Sequence, residues 1–136
     1  MSKILLVDDS PSILRSMEIA LTASGFEVET ATGPAIAFEK ATACTPDLMV
    51  VDVMMPGGTE GFDLVWSVRE SDDEALRAVP IIMATGIQEQ TGMTFYPWLP
   101  EGLFDPEKPL DVQGWLDKPV RVEVLVDAIN TVLVKQ

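Results

Sequence analysis

Asp8, Asp9, Asp52, Thr85 and Lys118 are the residues of this chain whose types and placement could do chemistry together. Asp8 and Asp9 close the apolar run Ile4-Leu5-Leu6-Val7, and Asp52 closes Leu48-Met49-Val50-Val51. Thr85 closes Ile81-Ile82-Met83-Ala84, and Lys118 closes Trp115-Leu116-Asp117. Carboxylates are the hard oxygen donors that magnesium takes, with waters and phosphate oxygens completing its octahedron. Manganese is the alternative ion for such an oxygen set. A carboxylate can also be a nucleophile towards phosphorus, giving an acyl phosphate. A threonine hydroxyl can hydrogen-bond one phosphoryl oxygen, and a lysine can pair with another as a point charge. The chemistry that fits this set is metal-assisted phosphoryl transfer, which asks the protein mainly for positioning and charge stabilisation.

Short apolar runs alternating with helical patterns read as buried parallel strands. In sheets of that kind ligands bind beyond the carboxyl ends of the strands, where the strand order reverses. The pattern predicts strands over 3–7, 26–30, 47–52, 80–85 and 114–117. Ser10 is an N-cap candidate with Pro11 at the first helical position. Ile13, Leu14, Met17, Ala20 and Leu21 follow at helical spacing, with Gly25 as the stop. Gly33-Pro34 opens an alanine-rich helix that ends before Pro46. A third helix is predicted over 60–71, with Phe62, Val65, Trp66 and Arg69 on one stripe beside Leu64 and Val68. Residues 72–78 read as acidic and solvated. Val122, Leu125, Val126, Ile129 and Val132 form the apolar face of the last helix. This alternation makes an α/β fold: a doubly wound, five-stranded parallel sheet with helices on both faces.

Residues 87–112 break the pattern. They hold four prolines (Pro97, Pro100, Pro106, Pro109) and four aromatics (Phe95, Tyr96, Trp98, Phe104). The prolines forbid one long helix, and the aromatics need something to pack on. An ordered, largely irregular segment is predicted there.

The 136 residues suit one domain, 1–136, with 87–112 as its atypical part. The formal charge is −13, from 22 acidic and 9 basic residues. No basic stripe is present to neutralise phosphates, which argues against direct nucleic-acid binding. The single cysteine, Cys44, cannot form an internal disulfide. No apolar run approaches the length of a membrane span, and the N-terminus lacks the pattern of a secretory signal.

Taken singly, each site residue has a plainer reading. An Asp-Asp pair is often a helix cap, Asp52 a solvated loop residue, Thr85-Gly86 a strand exit and Lys118-Pro119 a helix start. Their joint appearance, each at a strand terminus, favours a site.

The chain resembles the receiver domain of two-component response regulators. The resemblance rests on Ile4-Leu5-Leu6-Val7-Asp8-Asp9-Ser10, Val51-Asp52-Val53-Met54-Met55-Pro56-Gly57, Met83-Ala84-Thr85-Gly86 and Leu116-Asp117-Lys118-Pro119. It covers 1–86 and 113–136 and implies a flavodoxin-like sheet of order 2-1-3-4-5. By resemblance, Asp52 is the phospho-acceptor. Asp9 is a direct magnesium ligand, Asp8 acts largely through water, and the backbone carbonyl of Met54 completes the protein ligands with Asp52. Thr85 is the switch hydroxyl, Lys118 the phosphate-pairing amine and Trp115 the switch aromatic. The resemblance implies a cytoplasmic, bacterial, free-standing phosphorylation switch. Its donor would be a phosphohistidine on a sensor histidine kinase or histidine phosphotransfer protein, and its target a further protein.

Three departures stand out. The loop Gly57-Gly58-Thr59-Glu60 is one residue longer than usual, and Gly86 stands where alanine is commoner. The stretch from Thr85 to Lys118 is about ten residues longer than usual by that resemblance and replaces the family's fourth helix. Two rival readings exist. An aspartate-nucleophile phosphatase needs an acid/base carboxylate two residues after the nucleophile, where Met54 cannot transfer protons. A pseudo-receiver that binds without phosphorylation is disfavoured by the complete acidic set.

Overall fold

The computed structural model describes residues 2–52, 60–85, 113–117 and 121–134. Met54, Lys118 and the whole of 87–112 lie outside the described residues, and so does the irregular segment expected there.

The chain runs β1 (Lys3–Val7), α1 (Pro11–Ala23), β2 (Glu27–Ala31), α2 (Pro34–Cys44), β3 (Leu48–Asp52) and α3 (Glu60–Arg69). A short α4 (Glu74–Arg77), β4 (Ile81–Thr85), β5 (Gly114–Asp117) and α5 (Val122–Val134) follow. The five described strands form one parallel sheet in the order β2-β1-β3-β4-β5. This is the doubly wound fold that the alternating pattern implies.

Period-2 alternation divides the core in two. Leu5, Val7, Met49, Val51, Ile81 and Met83 point to one face and pack with Ala37, Ala41, Leu64, Val65 and Val68. Ile4, Leu6, Leu48, Val50 and Ile82 point to the other and meet Leu14, Leu21, Leu125 and Ile129. Both faces of β1 and β3 are therefore covered, which is why those strands are apolar without a break. Edge strand β2 instead alternates, with Glu27 and Glu29 outward. Lys3 lies 3.8 Å from Glu27 and Lys40 3.7 Å from Glu29, so charges occupy the edge where another strand could otherwise add.

Element ends differ from the sequence expectation for local reasons. β2 starts at Glu27 because the Phe26 N–H turns back to the Leu21 carbonyl. β3 starts at Leu48, while Asp47 is tied to Lys3 by N–H to carbonyl (2.8 Å) and by its carboxylate accepting the Lys3 N–H (2.7 Å). β4 starts after Pro80, which has no N–H to give the ladder. α3 stops at Arg69, two residues early, as the Ser71 N–H tightens onto Val68. Its buried face is Leu64, Val65 and Val68, whereas Trp66 and Arg69 are half-buried. On α5, Val122 is exposed and Val126 half-buried, leaving Leu125, Ile129 and Val132 as the buried stripe.

The reading of 72–78 as solvated holds for every residue but Leu76, which anchors a short helical turn. Asp73 caps α4 by accepting the N–H groups of Ala75 (3.0 Å) and Leu76 (3.4 Å). Leu76 is fully buried in the α2–α3 side of the core. One turn is too short to show a period, so the acidic composition concealed it.

Thr45 ends α2 with φ +39°, while its N–H donates to Ala41 at 2.8 Å. A β-branched residue is strained in this left-handed region, and glycine is not. Thr45→Gly is expected to stabilise the fold by about 1 kcal/mol, the relieved strain exceeding the added chain entropy. Urea unfolding checks this; a lower midpoint would show that Thr45 is held by contacts worth more than the strain.

Candidate functional site

The sheet order brings the acidic residues together. β1 and β3 are neighbours, with Val7 opposite Val51. Asp8, the first residue past β1, therefore emerges beside Asp52, the last of β3. Carboxylate oxygens of Asp8, Asp9 and Asp52 all lie within 4.8 Å of one another. Asp8 is 4% and Asp52 2% exposed, whereas Asp9 is exposed. Consecutive residues thus play unequal parts, one carboxylate inside the sheet end and one at its rim.

Local hydrogen bonds fix Asp8. Its N–H donates to the Ala31 carbonyl at the end of β2 (3.2 Å), and its Oδ1 accepts the Ser10 N–H (2.9 Å). Ser10 in turn caps α1, its Oγ accepting the Ile13 N–H at 3.4 Å, with Pro11 at the first helical position. The turn from β1 into α1 therefore orients one carboxylate, and the start of α1 gives that edge a partial positive charge. The Asp-x-Ser spacing is the sequence signal for this turn.

Three oxygen-donor side chains at this separation, two of them buried, fit a hard divalent cation such as magnesium. Burying like charges is costly unless a cation or donors compensate, so the donor set is better matched to a bound ion than to water alone.

The remaining site residues are placed by backbone register. Ala84 pairs with Asp52, so Thr85 stands one residue further towards the carboxyl edge, opposite Asp117 of β5. Trp115 pairs with Met83, deeper in the sheet. Lys118 directly follows Asp117 in the chain. The structure thus brings together Asp8, Asp9 and Asp52, and brings the Thr85 backbone to the same edge.

Comparison with known proteins places this geometry. A family model described as the response regulator receiver domain matches residues 4–96. Response regulator PleD of Caulobacter vibrioides is 36% identical over 86 residues, covering 63% of this chain and 18% of that protein. Protein-glutamate methylesterase/protein-glutamine glutaminase 1 of Anaeromyxobacter dehalogenans is 33% identical over 127 residues, covering 90% of this chain and 35% of that protein. The chain thus spans from about a fifth to about a third of the length of these curated relatives. The crystal structure of chemotaxis protein CheY4 of Vibrio cholerae matches with a TM-score of 0.76 and 34% identity, over 97% of this chain and 98% of that one. With the strand order, the acidic cluster at the β1 and β3 ends and these likenesses in agreement, the chain belongs to the response regulator receiver domain family.

Proposed function

We propose that this chain is a phosphorylation switch that takes a phosphoryl group onto Asp52. The observation that carries the reading is the meeting of the Asp8, Asp9 and Asp52 carboxylates at adjacent strand ends. The donor is a phosphohistidine on a sensor histidine kinase or a histidine phosphotransfer protein. The Asp52 carboxylate oxygen forms the new P–O bond as the P–N bond to imidazole breaks, and the imidazole nitrogen takes up a proton. The phosphoryl group returns to water by attack of water on phosphorus, with the carboxylate leaving.

Asp8, Asp9, Asp52 and the Met54 carbonyl would hold magnesium, or manganese in its place. When bound, the ion offsets the negative charge that the phosphoryl group brings to three carboxylates. Thr85 donates a hydrogen bond to a phosphoryl oxygen, and Lys118 pairs with another. Trp115 senses the change from β5. The acid/base carboxylate of a phosphatase is missing at Met54, so turnover is slow and the phosphorylated state persists. Among the described residues no helix is long and apolar enough to cross a membrane. A cytoplasmic location, next to kinase and protein target, fits this role.

Phosphoramidate, a small P–N donor, tests the reading. One phosphoryl group per chain is expected in magnesium and none in excess chelator. Equal uptake with and without the ion would contradict the metal-assisted mechanism, and no uptake in either would favour a binding module that is not phosphorylated.

A further inference from the structure

β5 presents a positioning problem. It is four residues long and stands at the edge of the sheet, paired with β4. It begins with Gly114, which adds no side chain to hold it in place. Residues 86–113 separate it from β4 in the chain. Parallel ladders have evenly spaced bonds, so backbone pairing alone selects a register weakly. A slip of one residue would move everything after β5 by about 3.3 Å along the strand and turn each side chain to the opposite face. Lys118 follows β5 directly.

A hydrogen-bonded clamp at the opposite end of the strand answers the problem. The Gln113 N–H donates to the Ile81 carbonyl at 2.7 Å, and its side-chain Oε1 accepts the Ile81 N–H at 2.8 Å. One residue thus takes both backbone groups of the first residue of β4. The same Oε1 accepts from Arg69 Nη2 at 3.0 Å. Arg69 Nη1 also donates to the carbonyls of Arg77 (2.8 Å) and Val79 (2.6 Å). Arg69 is the last residue of α3, whose Val65 and Val68 are fully buried. The start of β5 is therefore tied to α3, to the end of α4 and to β4 at once.

We propose that Arg69 and Gln113 are positioning residues for phosphoryl transfer. They set the register of β5 on β4 at the amino end of the sheet, and so the point at which the chain leaves Asp117 for Lys118. The inference rests on the reading of Lys118 as the phosphate-pairing amine.

The test is the rate of phosphorylation by phosphoramidate in magnesium, at a temperature where circular dichroism shows every variant folded. Gln113→Met keeps the length of the side chain and removes its acceptor; Arg69→Ala removes the guanidinium. Each is expected to slow phosphorylation about tenfold or more, since small displacements of a charge-pairing group are costly. Stabilisation by magnesium is expected to stay at the wild-type level, because Asp8 and Asp9 directly follow β1 and Asp52 ends β3, away from β5. Gln113→Glu keeps an acceptor for Ile81 and Arg69 and is expected to restore the rate. In a Lys118→Ala background neither Gln113→Met nor Arg69→Ala should slow the reaction further. Wild-type rates in both single variants would overturn the proposal, as would an undiminished further loss in the Lys118→Ala background, which marks a general structural role. A wild-type rate for Lys118→Ala itself would refute the reading of the lysine, and the inference with it.

Discussion

Asp52→Asn is expected to abolish phosphoryl uptake from acetyl phosphate in magnesium while leaving the chain folded. The amide matches the carboxylate in size but lacks its nucleophilic charge, so no acyl phosphate can form. Folding should survive because Asp52 is 2% exposed and surrounded by two other carboxylate oxygens within 4.8 Å. Removing one of three like charges relieves repulsion at that buried edge. The metal-free variant should therefore melt no lower than the wild type, which separates lost chemistry from lost structure. Intact-protein mass spectrometry reads the uptake. Undiminished mass gain in a folded Asp52→Asn chain would move the acceptor elsewhere.

Magnesium is expected to raise the melting temperature of the wild-type chain strongly. An ion that binds only the folded state stabilises it by about 2.7 kcal/mol at a hundred times its dissociation constant. For a domain of this size that is roughly 10 °C. The cluster exists only when β1 and β3 are paired, since it joins residues 8 and 9 to residue 52. The unfolded chain therefore offers no comparable site. Asp9→Asn or Asp52→Asn should largely remove the effect. The control is sodium chloride of equal ionic strength, because a chain of formal charge −13 gains from screening alone. An equal magnesium shift in wild type and variants would assign the effect to screening rather than to the site.

The strands were legible because burial on both faces demands unbroken apolar runs, and Ile4–Val7 and Leu48–Val51 supply them. The ends of those runs marked Asp8, Asp9 and Asp52, since a carboxylate directly after a fully apolar strand must lie at the sheet edge. The Ser10-Pro11 start of α1 was legible for the same local reason, being a cap followed by a preorganised first residue. What escaped was either too short or too distant. α4 is a single turn, and its buried Leu76 lies among charged neighbours that read as solvent-facing. On α3 the turn after Val68 ended the helix before the period could show it. The bond from Arg69 to Gln113 joins residues 44 apart, and no local pattern encodes it. Strand order itself came from family resemblance, because parallel strands joined by helices fit several orders equally well in the sequence.

The central claim is that Asp52 carries the phosphoryl group as an acyl phosphate. Borohydride reduction of the phosphorylated chain, followed by peptide mapping, tests it most directly. An aspartyl phosphate is reduced to homoserine, while an unmodified aspartate is not. The account predicts homoserine at position 52 alone, in proportion to the phosphoryl group taken up. Homoserine at Asp8 or Asp9, or full uptake with none at position 52, would contradict it.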